Sequence, residues 1–174
     1  MNLIDEMEKH IVKILYTELL THNVKLFRVE KPAGYAFIPG QATNVSINKP
    51  GLENELRPFT FTGTNDREYL EFTIKIYQSH ACVTAKMLQI NKGDELIIHE
   101  VFGAIHYKGP GLFLAGGAGV TPFLAIFREQ LHHGDLSGST LFFANRNEKD
   151  IFLHEELKSM FGEKYTDILS EPTP

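Results

Sequence analysis

The sequence predicts an all-β plus α/β protein, with a barrel of short strands in residues 1–108 followed by an incomplete parallel α/β unit in residues 109–174. Three observations predict it. Apolar residues alternate with polar ones along the first part, the period of a half-buried strand. The pattern changes after Lys108-Gly109-Pro110-Gly111, from where strand-like and helix-like runs take turns. A glycine-rich junction, Gly116-Gly117-Ala118-Gly119-Val120-Thr121-Pro122, then stands between one such strand and one such helix.

The clearest strand is Leu70 to Ile76, where Leu70, Phe72, Ile74 and Ile76 alternate with Glu71, Thr73 and Lys75. On that pattern the polar three face water. Weaker runs of the same kind lie at Ile11 to Glu18, Val24 to Glu30, Ala42 to Asn48 and Glu95 to Glu100. Turn residues separate them, including Pro32-Ala33-Gly34, Pro39-Gly40, Lys49-Pro50-Gly51 and Lys92-Gly93-Asp94. Short strands at this spacing suggest a closed barrel. A short helix, Thr84 to Ile90, interrupts it with Met87 and Leu88 inward.

In the second unit, Leu112 to Ala115 reads as a buried strand and Pro122 as the first helical residue. Phe123, Leu124, Phe127 and Leu131 then form one apolar face before Gly134 ends the helix. A strand at Thr140 to Ala144 follows. The next helix takes Asp150 as N-cap, buries Leu153, Leu157 and Met160, and stops at Gly162; a last strand runs from Thr166 to Leu169.

A chain of 174 residues, 43% hydrophobic, buries a core without disulfides. Its net charge of −5 and scattered Lys and Arg argue against a nucleic-acid partner. The single cysteine, Cys82, excludes an internal disulfide and a cysteine-ligated cluster, which points to a reducing cytoplasm. No apolar run is long enough for a membrane span, and Met1 to Lys9 lacks the form of a secretory signal. The histidines form no ligand-like set, so no metal is expected.

Two segments carry chemistry. Glycines between a strand and a helix let the backbone turn sharply and approach a ligand, while the free N–H groups of the helix start favour a diphosphate. The spacing is not the dinucleotide fingerprint, because Pro122 stands where a third glycine belongs. In Arg57-Pro58-Phe59-Thr60, a guanidinium able to fork onto a phosphate precedes an aromatic face and a hydroxyl. Each has a plainer counterpart: a turn without a ligand, and a strand with a surface arginine and a core phenylalanine.

Taken together and in this order, the two segments resemble those of the ferredoxin-NADP reductase-like family of flavin oxidoreductases, whose R-x-Y-S segment holds flavin and whose G-G-T-G-I-T-P segment receives NAD(P). Ile38-Pro39-Gly40-Gln41 is similar to the family's P-G-Q turn, Val101-Phe102-Gly103 to the end of its G-P-F-G segment, and Asn145-Arg146-Asn147-Glu148-Lys149-Asp150 to the stretch after its second nucleotide-domain strand. The resemblance implies an N-terminal Greek-key flavin-binding β-barrel and a partial NAD(P)-binding domain. It implies hydride transfer from NAD(P)H to FAD, ahead of FMN, and then electron transfer to a carrier such as ferredoxin or flavodoxin.

The same resemblance assigns positions. Arg57 would hold the flavin phosphate, with Pro58 setting its backbone, Phe59 along the ring and Thr60 near the atom that receives hydride. Lys75, Ile76 and Tyr77 would line the ribityl or adenine side, and Cys82, Val83 and Thr84 would meet phosphate. Gly116, Gly117, Gly119 and Thr121 would embrace the nicotinamide dinucleotide, and Arg146 the adenosine ribose or its 2′-phosphate, an arginine there leaning toward NADPH. Phe59 replaces the family's tyrosine, and Thr60 is stiffer than its serine. Members of the family continue through further strands to a C-G-P segment and a terminal aromatic, so the chain reads as a truncated product or a fragment. Two alternatives follow: a flavin-binding electron-transfer or regulatory subunit unable to use NAD(P)H, and a cofactor-free interaction module.

Overall fold

A computed structural model describes residues 8–77, 83–134 and 136–171. The first part contributes strands β1 (His10–Thr21), β2 (Val24–Glu30), β3 (Ala42–Ile47), β4 (Arg57–Thr60), β5 (Tyr69–Lys75) and β6 (Glu95–Phe102), with the short helix α1 (Val83–Met87) before β6. They form one antiparallel sheet in the order β4-β3-β6-β1-β2-β5. β6 returns over a long connection to lie beside β1, as in a Greek key. The residues just after β4 close the sheet into a barrel. Phe61 N–H donates to the Gln41 carbonyl (3.1 Å), and Thr62 N–H donates to the Glu71 carbonyl on β5 (2.8 Å).

Aromatic side chains from β5 and from the segments beside β3 and β4 fill the barrel. Phe37 stacks on Phe61 at 4.1 Å between ring centroids, and Phe61 meets Phe72 at 5.2 Å. Val12, Ile14, Phe27, Leu70 and Ile74 complete the core. On β1 the alternation leaves Ile11, Leu15 and Leu19 outside.

The second part is a parallel sheet of three strands in the order β7-β8-β9, namely β7 (Leu112–Gly116), β8 (Thr140–Asn145) and β9 (Tyr165–Leu169). Helices α2 (Thr121–His132) and α3 (His154–Phe161) connect them. Phe127 and Phe143 are fully buried between sheet and helices, with Phe113 and Phe161 edge-on to Phe127. Leu20 and Val24, from the tip of the β1–β2 hairpin, and Tyr107 pack into this second core.

Four sequence expectations are corrected. Leu131 is 49% exposed instead of facing inward, because α2 is enclosed on all sides over the turn Leu124, Ala125, Ile126 and Phe127 and emerges from the core beyond it. Asp150 does not cap α3. It ends a 3-10 turn (Glu148–Asp150), buried and 3.7 Å from His22 of the hairpin, and α3 begins four residues later after Leu153 in the left-handed conformation (φ 57°). α1 stops at Met87, short of Ile90, with Met87 in the barrel core. Most consequential is β5, where the polar positions Glu71 and Thr73 are 3% and 4% exposed. Alternation reports one face in contact with core, and here the second part of the chain covers the other face as well.

Candidate functional site

The two chemistry-bearing segments meet. Thr60 ends β4, and its hydroxyl donates to the hydroxyl of Thr121, the first residue of α2, at 2.8 Å. Thr121 in turn donates to the Ala118 carbonyl at 2.9 Å. Register fixes the strand side of this contact: Thr60 pairs with Ala42, and Phe59 with Thr43 on β3. β-branching at Thr60 restricts the hydroxyl's direction. A Thr–Thr pair thus joins barrel to helix at the mouth of the glycine turn.

Around this contact lies a cavity of about 240 Å³. Pro58, Phe59, Thr60, Lys75 and Tyr77 form its barrel wall, Thr84 of α1 borders it, and Ala118 and Thr121 face them from the second part. Thr73, Ile74 and Ala118 also line it, although sequence reasoning passed over them. Thr73 follows from recognising that β5 is covered on both faces. Ala118 sits inside the glycine segment and escapes notice because an alanine carries no polar signal.

The glycine turn leaves room for a ligand. β7 ends at Gly116, the backbone turns through a 3-10 segment (Gly117–Val120), and α2 follows. Gly117 adopts φ 48°, where an L side chain is strained, whereas Gly119 lies outside that region. A Cβ built on Gly119 would meet nothing within 4 Å, and the same holds for Gly116. At Gly117 a Cβ would lie 3.5 Å from Lys75 Nζ. The Lys75 ammonium is therefore brought over the turn, beside a helix N-terminus that itself favours negative charge. Two positive features converging on one open backbone surface fit a phosphate-bearing ligand.

Lys75 and Tyr77 also border a second cavity of about 530 Å³, with His22, Asn23, Asn147 and Arg146. Arg146 forks onto Glu171 there through Nε (2.9 Å) and Nη2 (3.0 Å). That contact holds the Glu171 carboxyl below its ordinary pKa and raises that of Arg146. Glu171 was not anticipated, since its partner lies 25 residues away in sequence.

Other expected positions fall differently. Arg57 does not line the 240 Å³ cavity; its guanidinium donates to the Leu56 carbonyl (2.7 Å) and stands 3.8 Å from the Glu55 carboxylate. Ile76 is 2% exposed and packs in the barrel core, so its side chain lines neither cavity. Val83 opens α1. Cys82 lies outside the described residues. Among the described residues no group of three or more His, Cys, Asp or Glu is placed to hold a metal, and no helix is long and apolar enough to cross a membrane.

Comparison with known proteins agrees with this geometry. The family profile described as the oxidoreductase NAD-binding domain matches residues 113–170, spanning β7 to β9 and the glycine turn. The chain is 29% identical over 162 residues to the reductase component of propane 2-monooxygenase from Rhodococcus jostii, covering 89% of this chain and 43% of that protein. It is 28% identical over 189 residues to rat NADH-cytochrome b5 reductase 1, covering 90% and 62%. The chain is similar to these reductases over most of its own length. A ferredoxin NADP+ reductase from Neisseria gonorrhoeae, solved with bound FAD and NADP, shares the fold of this chain with a TM-score of 0.79 at 17% identity, over 96% of this chain and 68% of that one. The chain thus spans roughly two-fifths to three-fifths of the length of these two curated relatives.

Proposed function

We propose that this chain is a flavin-dependent NAD(P)H oxidoreductase, with residues 1–108 as the flavin-binding barrel and residues 109–174 as the NAD(P)-binding part. One observation carries the reading: the Thr60–Thr121 hydroxyl pair at 2.8 Å, which places the end of the flavin-type segment against the start of the nucleotide-type helix. Phe59, Thr60 and Lys75 around this contact would hold a flavin, and the chemistry it would supply there is acceptance of a hydride from a reduced nicotinamide and onward electron transfer to a redox carrier protein.

The chain's own residues bind and orient. Phe59 offers a half-buried ring to one face of a planar group, and Thr60 presents its hydroxyl at the edge nearest the glycine turn. Lys75 and the N–H groups of the turn neutralise a diphosphate, while Gly119 leaves the backbone open to close approach. Thr84 at α1 serves the flavin phosphate side, and Arg57 joins it by leaving the Leu56 carbonyl. No side-chain acid or base is required, because proximity and alignment of the two rings supply the catalysis. The Arg146–Glu171 pair favours NADH over NADPH, since the carboxylate already occupies the fork that a 2′-phosphate would take. Curated relatives include a reductase for cytochrome b5 and a reductase component of a monooxygenase system. A small redox protein is accordingly the proposed acceptor, of the ferredoxin, flavodoxin or cytochrome class.

Anaerobic titration with NADH and NADPH, after reconstitution with FAD or FMN, tests the proposal. Loss of the oxidised flavin spectrum with NADH is the expected result. A yellow protein that neither nicotinamide bleaches would replace this reading with the electron-transfer subunit, and a colourless protein that takes up no flavin would end both.

A further inference from the structure

Away from both cavities discussed above, Arg128 stands two turns down α2 from Thr121 and is the most heavily engaged cation among the described residues. Its Nη1 donates to the Thr62 carbonyl and to Glu71 Oε1, both at 2.6 Å, and its Nε and Nη2 fork onto Glu156 of α3 at 2.6 and 2.9 Å. Glu71, 3% exposed, is held in addition by Arg28 Nε at 3.0 Å and by the Thr62 hydroxyl at 3.1 Å. Thr62 and Glu71 belong to the barrel closure, where Thr62 N–H meets the Glu71 carbonyl. One guanidinium therefore ties α2 and α3 to the seam at which the barrel shuts.

The spacing gives this knot a consequence for the site. Residues 60 and 62 are two apart in an extended chain, and 121 and 128 are seven apart on a helix, which is two turns and hence one stripe. Thr60 touches Thr121 while Thr62 touches Arg128, so the helix is pinned at two points along one stretch of strand. The Thr60–Thr121 bond alone is a single neutral contact of about 1 kcal/mol and permits the helix to pivot. The second, charge-assisted pin removes that freedom. Burial opposes the charge on Arg128, yet the two carboxylates outweigh it and raise its pKa.

We propose that Arg128 is a positioning residue that fixes α2, and with it the glycine turn, at working distance from Thr60. This rests on the reductase reading for its purpose but not for its geometry. The planar guanidinium is what matters: its reach and fixed plane present Nη1 to the Thr62 carbonyl and Glu71 together, a placement that the shorter, single-headed lysine does not reproduce.

The test is a cross-link read without any cofactor. In the full chain carrying Cys82→Ser, Thr60→Cys and Thr121→Cys are oxidised, and disulfide formation is timed with Arg128 intact, with Arg128→Met and with Arg128→Lys. Disulfide geometry is narrow, so both Arg128 substitutions are expected to slow closure about tenfold or more, while Glu156→Gln, which leaves the Thr62 and Glu71 contacts in place, keeps the parent rate. Should Arg128→Met fail to fold, Arg128→Lys retains a buried cation and carries the comparison. In flavin-loaded protein with its native residues 60, 82 and 121, Arg128→Lys should lower the limiting rate of flavin reduction by NADH about a hundredfold, the scale of a roughly 1 Å misplacement, with flavin affinity held within about twofold. Parent-rate cross-linking in both Arg128 variants, or equal slowing by Glu156→Gln, overturns the proposal. A chain that cross-links in an Arg128-dependent way yet takes up no flavin refutes the reductase reading and leaves the pin standing.

Discussion

Replacing Gly117 and Gly119 separately by alanine distinguishes a ligand cradle from a turn that merely needs glycine. Gly117 sits at φ 48°, so Gly117→Ala places an L residue in the left-handed region at a cost of about 1–2 kcal/mol. Its new Cβ meets Lys75 Nζ at 3.5 Å, an ordinary contact that adds no further penalty. For a chain of this size that strain corresponds to roughly 2–8 °C in melting temperature. Gly119 is the informative partner. It has no left-handed backbone and nothing lies within 4 Å of an added Cβ, so Gly119→Ala relieves the unfolded chain of entropy and raises stability by about 0.4–1 kcal/mol. The same methyl, however, fills the space through which the backbone would approach a diphosphate. Differential scanning calorimetry and titration with NADH, run in parallel, should show Gly119→Ala melting at or above the parent while its dissociation constant rises at least about tenfold, or 1.4 kcal/mol. Unchanged NADH binding in a stable Gly119→Ala protein would refute the cradle and reduce the glycine segment to a connector.

Other outcomes follow from contacts already described. Thr60→Val deletes one part-buried hydroxyl contact and is expected to cost about 1 kcal/mol in chemical denaturation, with flavin reduction slowed and flavin binding kept. Glu171→Gln removes the charge paired with Arg146, so the KM for NADPH should fall relative to that for NADH; an unaltered ratio in steady-state assays would sink the assignment. The pH dependence has the same origin. Because Glu171 is held below its ordinary value of 4.5, the ion pair is intact above that value and is lost only as pH falls through the depressed one, which the chemical shift of Arg146 Nε will track. Phe127→Ala, which empties a fully buried site among Phe113, Phe123 and Phe161, should lower the unfolding free energy by about 3–5 kcal/mol in a urea titration.

Legibility in the sequence tracked how local each cause is. Period-two runs placed the strands at Val24–Glu30 and Ala42–Ile47 within a residue, because alternation is a property of the strand itself. The helix after the glycine turn was equally visible, since Pro122 sits in its first turn and Gly134 follows its end. What stayed hidden depends on distant partners. Glu71 reads as solvent-facing until Arg128, 57 residues further on, is paired with it, and Thr73 until its hydroxyl meets that of Thr62. Asp150 has the chemistry of an N-cap, yet its carboxylate faces His22 across the chain. Around the 240 Å³ cavity, residues 58–60 and Thr121 were legible from their turn and helix-start chemistry, whereas Ala118 was not. The counter-ion of Arg146 was not, because nothing in a local window marks Glu171 as its neighbour.

The hairpin tip described above has an implication for how the molecule comes apart. Val24 is wholly enclosed among side chains of the parallel sheet and its helices, although its strand belongs to the barrel. A peg of this kind makes the two sheets share one melting event: withdrawing it bares apolar surface on both sides at once, so neither sheet can loosen while the other stays whole.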